Sequence, residues 1–246
     1  SKPSLYFNTK IYTGNASTQA ITGVGFQPDW TWIKNRSTTN SHVLTDAVRG
    51  VDKTLITNSN GAENAGSTNI GSFDSDGFTL GSNGGTNGSG NSVVSWNWKA
   101  GTTSGLSGGN ITPSAYSYNA TSGFGIYKYT GNGSADQTIP HGLGKKPQMI
   151  FYKNLSSGTN WVAQSNLLGN RVQLVLNGTD ASNTDSRLGA SDNWDTTNFN
   201  VGSYGDMNNN GSSYVAYVFC NIDGYSKIGT YTGNGTSGVD GAGDGT

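Results

Sequence analysis

Tyr12-Thr13-Gly14-Asn15, Tyr129-Thr130-Gly131-Asn132 and Tyr231-Thr232-Gly233-Asn234 are one tetrapeptide met three times, and the chain around it decides the fold. Downstream of the first two copies the likeness continues. Val24-Gly25-Phe26-Gln27-Pro28 pairs with Leu143-Gly144-Lys145-Lys146-Pro147, and Ile33-Lys34-Asn35 with Tyr152-Lys153-Asn154. Phe78-Thr79-Leu80-Gly81-Ser82 then pairs with Phe199-Asn200-Val201-Gly202-Ser203. The closing run Val93-Val94-Ser95-Trp96-Asn97-Trp98 matches Tyr214-Val215-Ala216-Tyr217-Val218-Phe219, and the offset drifts only from 117 to 121 residues. A unit of about 100 to 120 residues is domain-sized, too long for a solenoid repeat or a propeller blade.

Within each copy the apolar runs are short, β-branched or aromatic, and divided by Gly, Asn, Ser and Asp clusters. That is the pattern of antiparallel strands joined by polar turns. Composition agrees: of 246 residues 38 are Gly, 12 Tyr and 6 Trp, while charged residues make up only 12%. A disordered tract would lack the aromatics and a long helix would lack the glycines. The expected fold class is all-β: two tandem antiparallel β-sandwich domains of jelly-roll or lectin-like type, followed by the start of a third copy.

The boundaries follow from the repeat. Repeat 1 covers residues 1–102, a Gly/Ser/Thr-rich linker 103–116, repeat 2 residues 117–222, and 223–246 opens a third repeat or supplies a terminal strand. The linker, with Gly101-Thr102-Thr103-Ser104-Gly105 before Leu106 and Gly108-Gly109 after it, reads as a joint about which two separate cores pivot.

The formal net charge of -1 and the absence of a basic run give no surface for neutralising phosphates, so nucleic acid is not an expected partner. No apolar stretch of ~18 residues is present, so membrane insertion is not expected either. Ser1-Lys2-Pro3-Ser4 opens no signal-peptide pattern. The single Cys220 lies in the apolar run Tyr217-Val218-Phe219-Cys220 and reads as a buried structural thiol.

Certain stretches are familiar as wording: Gly25-Phe26-Gln27-Pro28-Asp29, Trp32-Ile33-Lys34-Asn35-Arg36, Phe73-Asp74-Ser75-Asp76-Gly77-Phe78-Thr79-Leu80-Gly81 and Ser95-Trp96-Asn97-Trp98-Lys99-Ala100-Gly101. Across nearly all of the first copy, and more loosely the second, the chain resembles a family of repeat domains in structural proteins of marine tailed phages, notably cyanophages. The resemblance implies a tail fibre, head fibre or other virion appendage built of lectin-like sandwiches. It also implies other virion proteins as partners, a homo-oligomer such as a trimer, and a virion or extracellular location. It carries over no catalytic residues. The second copy departs from the pattern by placing Met149 and Phe151 where the first has Trp30 and Trp32, and Leu155 where it has Arg36.

Catalysis needs titratable groups in a constellation, and few are present. His42 aligns with Trp161, and His141 sits in the turn Pro140-His141-Gly142; both read as structural. Paired carboxylates for glycoside hydrolysis would be Glu63 with Asp46, or Asp74 with Asp76, all in turn-like settings. Asp74-Ser75-Asp76-Gly77 also resembles the first half of a calcium loop, but its twelfth position is Gly85 rather than an acid. No cofactor is expected, and Ca2+ would be the ion if Asp74 and Asp76 held one.

Glycan binding asks for aromatic faces and amides, which the chain has in quantity. Strand alternation puts Trp30 with Trp32, and Trp96 with Trp98, each pair on one face, which favours a core role. Trp161, Trp194 and Tyr204 lie beside polar turns and are the candidate glycan-binding residues. Joined to what the resemblance implies, the expected function is a non-enzymatic phage virion structural protein, a fibre or appendage, involved in host-surface or glycan adhesion. The ranked alternatives are a secreted carbohydrate-binding module pair of a larger enzyme, then a polysaccharide depolymerase.

Overall fold

A computed structural model describes residues 2–66 and 68–234. The first half contributes β1 (Phe7–Thr13), β2 (Gln19–Ile21), β3 (Trp30–Asn35), β4 (Val43–Asp46), β5 (Leu55–Ile56), β6 (Ile70–Asp74), β7 (Gly77–Leu80) and β8 (Ser92–Trp98). The second contributes β9 (Ala115–Asn119), β10 (Phe124–Thr130), β11 (Gln137–Pro140), β12 (Met149–Asn154), β13 (Val162–Ser165), β14 (Val172–Val175), β15 (Asn183–Thr184), β16 (Asn198–Val201) and β17 (Ser213–Phe219). One-turn helices α1 (Gly84–Asn87) and α2 (Gly205–Asn208) precede the closing strands β8 and β17. The all-β class and the antiparallel pairing expected from the sequence are what the structure shows.

The large sheet of the first half runs β1-β8-β3-β4-β5. That of the second runs β10-β17-β12-β13-β14 in the same sense, extended by β9 beyond β10 and by β15 beyond β14. Each half adds a small sheet, β2-β7-β6 in one and β11-β16 in the other.

Alternation along the strands sorts the side chains into three cores. On β3, Ile33 faces an outer core with Ile21, Phe78, Leu80 and Val93, beneath the small sheet β2-β7-β6. On β17, Tyr214, Ala216 and Val218 face the matching outer core with Ile139, Phe199 and Val201, beneath β11-β16. The opposite faces meet each other: Trp30, Leu44 and Leu55 of the first half pack with Phe124, Ile126, Trp161, Val215 and Tyr217 of the second. The molecule is thus four layers deep, small sheet, large sheet, large sheet, small sheet. Its central core belongs to both halves.

Trp30 is the hub of that central core. It is 1% exposed, and its ring stacks on Tyr217 at 5.1 Å and 24° and on Phe124 at 5.5 Å and 25°. Polar bonds cross the same seam. Tyr217 donates its hydroxyl to Asp46 Oδ2 at 2.6 Å, and Trp161 donates Nε1–H to the Ile56 carbonyl at 3.0 Å. Each half thus keeps an outer core of its own, and a central core shared by both is added to the two expected from the repeat.

The joint between the halves is pinned rather than free to pivot. Gly101 N–H donates to Ser117 Oγ, Thr102 pairs with Tyr118, and Asn110 pairs with Thr138. Ile111 is buried in the outer core and Leu106 packs against it, so a segment read as linker contributes apolar anchors. The strand β9 begins at Ala115, inside the expected linker.

The recurrent tetrapeptide has a physical purpose. Tyr12 Oη donates to the Thr86 carbonyl of α1, and Tyr129 Oη to the Met207 carbonyl of α2. A Cβ on Gly14 would lie 2.3 Å from the Gly88 oxygen, and one on Gly131 2.4 Å from the Asn209 oxygen, so only glycine admits the approach. Asn15 N–H then donates to Asn87 Oδ1, and Asn132 N–H to Asn208 Oδ1, both at 2.9 Å. Asn87 Nδ2 donates onward to Ser17 and Gly81 carbonyls, as Asn208 Nδ2 does to Ser134 and Gly202.

The third tetrapeptide is not built into such a site. Tyr231 is 95% exposed, and residues 227–234 form no strand. Residues 235–246, where a third repeat would continue, lie outside the described residues. Cys220 is buried as expected, donates to the Lys145 carbonyl, and has its thiol pushed up to about 12 by burial.

Candidate functional site

Of the three aromatic residues expected to face solvent, Trp161 and Trp194 do not. Trp161 is wholly buried because it enters the central core, stacking on Tyr217 at 6.3 Å and spending its indole N–H on Ile56. Trp194 follows the 3-10 turn Ser191–Asn193 into the outer core of the second half, at 2% exposed. Tyr204 is half-buried, and its ring face is taken by the Arg187 guanidinium at 4.9 Å. Arg187 is oriented in turn by Asp185, whose carboxyl it holds down at about 2. Trp161 and Trp194 thus offer no open face to a sugar, and one face of Tyr204 is occupied by Arg187.

The open aromatic face lies elsewhere, on the large sheet of the first half. Of the four tryptophans at even-numbered positions of β3 and β8, Trp30 is fully covered, whereas Trp32, Trp96 and Trp98 remain half-buried. Trp32 and Trp96 sit opposite each other across the β3–β8 ladder, 6.0 Å apart and inclined at 60°. Phe7 packs on Trp98 at 4.7 Å. Together with Lys34 and His42 these side chains line a cavity of about 410 Å³.

A second cavity, of about 380 Å³, shares Trp32 and His42 with the first and continues over Thr57 and Asn58 to Leu176, Asn177 and Thr179 of the second half. The two form one groove crossing the seam, aromatic at one end and rich in amides and hydroxyls at the other. Its walls are preset. Trp32 Nε1–H donates to Thr57 Oγ1 at 3.0 Å, and Lys34 Nζ donates to the carbonyls of Asn35, Thr38 and Asn40. Burial, seconded by Lys34, lowers the His42 pKa, so its imidazole is neutral near pH 7.

The groove exists because the halves are alike in backbone and unlike in side chain. His42 and Trp161 occupy the same place before β4 and β13, with their N–H groups bonded to Asn58 Oδ1 and Asn177 Oδ1 at 2.8 Å each. Trp161 fills the seam on its side, whereas the smaller His42 leaves its side open. The His42–Trp161 alignment was the one sequence signal pointing here.

The carboxylates considered for chemistry have other duties. Asp46 and Glu63 are brought together, both on Arg49: Nε lies 2.5 Å from Asp46 Oδ2 and Nη1 3.0 Å from Glu63 Oε2. Burial opposes the Arg49 charge, but Asp46, Tyr217 and Glu63 outweigh it and keep the guanidinium's pKa above its ordinary value. This cluster cements the seam rather than opening on the groove. Asp74 accepts the hydroxyls of Ser72 and Thr79, and Asp76 accepts the N–H groups of Gly23 and Gly25, which lower its pKa. The two aspartates thus brace separate turns, and among the described residues no group of three or more His, Cys, Asp or Glu is placed to hold a metal ion. His141 is fully buried and bonded to the backbone of Leu143 and Asp195.

The arrangement is an all-β body with an aromatic cavity and an amide-bearing rim. A family described as Domain of unknown function (DUF7483) matches residues 2–242, and the chain belongs to that family. Comparison with curated proteins and with solved structures gave no match. Among the described residues no helix is long and apolar enough to cross a membrane.

Proposed function

We propose that this chain is a non-enzymatic adhesive module that holds a glycan in the groove of Trp32, Trp96, Trp98 and Phe7, as part of a virion appendage. The observation that carries this reading is the half-exposed Trp32–Trp96 pair, continuous with the amide-bearing cleft at Asn58 and Asn177. Sugars present apolar C–H faces that stack on indoles, and hydroxyls that pair with amides and with hydroxyl side chains. Tryptophans left half-buried lose burial energy that folding could have used. A ligand that covers them recovers it.

The virion setting rests on the resemblance of Trp32-Ile33-Lys34-Asn35-Arg36 and Phe73–Gly81 to phage structural repeats. In such a particle many copies engage one surface, so weak single-site contacts sum to firm attachment. The test is a glycan array probed with the recombinant chain, paired with host-cell binding. Binding lost in Trp32→Ala and Trp96→Ala, with the fold intact, supports the reading; an array and cell surfaces that stay silent overturn it.

A further inference from the structure

Resting on that reading, we infer that the groove selects glycans whose sugar at the aromatic end carries an apolar substituent, a deoxy methyl or an acyl group, over their fully hydroxylated counterparts. The argument is the unequal chemistry of the two cavities. None of the six side chains around the first, Phe7, Trp32, Lys34, His42, Trp96 and Trp98, contains an oxygen atom. The second has side-chain oxygens at Thr57, Asn58, Asn177 and Thr179.

A sugar hydroxyl entering the first cavity leaves water and finds no side-chain oxygen to receive its proton, only one ring nitrogen of the neutral His42. Lys34 Nζ already serves three backbone carbonyls and Trp32 Nε1 serves Thr57, which leaves as polar groups only the indole N–H of Trp96 and of Trp98 and the His42 ring. A buried hydroxyl short of acceptors is penalised, whereas a methyl or acetyl group in its place gains from contact with the four aromatic rings. The neighbouring sugar, lying past Trp32 and His42, keeps its hydroxyls against the amide end. This polarity step also orients the ligand, with its substituted residue toward Phe7 and Trp98.

The experiment titrates the full chain, by tryptophan fluorescence and calorimetry, with oligosaccharide pairs that differ in one substituent: fucosyl against galactosyl, and N-acetylglucosamine oligomers against glucose oligomers. The deoxy or acylated member should bind at least about tenfold more tightly. Trp96→Ala should erase that preference, and Asn177→Ala should weaken both members alike. His42→Asn, which places an oxygen in the first cavity and leaves the tryptophans intact, should narrow the preference. Equal affinity within every pair overturns this inference and leaves glycan adhesion standing. Failure of every glycan to bind overturns both, as does a dimer that Trp96→Ala dissociates, since a second copy then fills the groove.

Discussion

The Tyr217 hydroxyl, from the last strand of the second half, donates to Oδ2 of Asp46 in the first half, at 2.6 Å, where both side chains are fully buried. The same carboxylate neutralises Arg49, so one oxygen joins a phenol, a guanidinium and two sheets. Tyr217→Phe removes one donor from this cluster while preserving the ring that stacks on Trp30. It should cost about 1–3 kcal/mol in denaturant unfolding. Asp46→Ala strands Arg49 with only the partly exposed Glu63 and should cost about 3–5 kcal/mol. A loss below about 0.5 kcal/mol for both variants would show that the cluster does not secure the seam.

Because Trp30, Phe124, Trp161 and Tyr217 form one core, the halves should melt together. Calorimetry is expected to give a single transition, and Trp30→Ala should lower it by about 3–5 kcal/mol of stability without splitting it. A fragment of residues 103–222 should expose the Phe124–Tyr217–Phe219 surface and bind a hydrophobic dye. Two well-separated transitions would contradict the shared interior.

The paired asparagine networks should respond alike. Asn87→Ala and Asn208→Ala each delete a buried amide that bonds the tetrapeptide turn and two further backbone carbonyls. Each should cost about 2–4 kcal/mol, several net hydrogen bonds of about 1 kcal/mol apiece with unsatisfied carbonyls left behind. A large effect at one site and none at the other, measured by thermal unfolding, would break the physical equivalence of the two turns.

Lys153 should contribute stability that grows as the solution is made mildly alkaline. Lys153 has no exposed surface; burial lowers its pKa to about 8, against an ordinary lysine value of 10.5, with Asp206 opposing the shift. Between those values this residue binds more protons in the unfolded chain than in the folded one, so its contribution to folding grows by about 1–2 kcal/mol from pH 8 toward pH 10. The buried Cys220 thiol opposes it from about pH 9, and buried Tyr127, Tyr129 and Tyr152 do so near pH 10, because all four resist ionisation in the fold while their unfolded counterparts ionise. Unfolding of the parent chain and of Lys153→Met across pH 7–10 checks the assignment; the rise should be absent from the variant.

The tryptophans should divide by function. Trp32→Ala and Trp96→Ala are expected to reduce glycan affinity about tenfold or more with modest loss of stability. Trp161→Ala and Trp194→Ala should destabilise by about 3–5 kcal/mol, since both rings are buried. Glycan affinity unchanged in Trp32→Ala and Trp96→Ala would remove the groove as the site.

By itself the sequence determined what is local. Alternating aromatic and polar residues in Trp30–Asn35 and Ser92–Trp98 specify strands with two unlike faces, and the Gly14 and Gly131 turns specify close approach, because period and turn chemistry are written in neighbouring residues. Tertiary structure alone decided what each face meets. The apolar faces of the two halves could seal separately or against each other, and that choice turns on surface left to cover after every strand is placed. It buried Trp161 and Trp194, whose flanking polar turns suggested exposure, and left Trp32 and Trp96 open, whose spacing suggested a core. A groove is made by where packing stops. That edge is a property of the assembled sheets, carried by the difference between His42 and Trp161 at matching places in the fold.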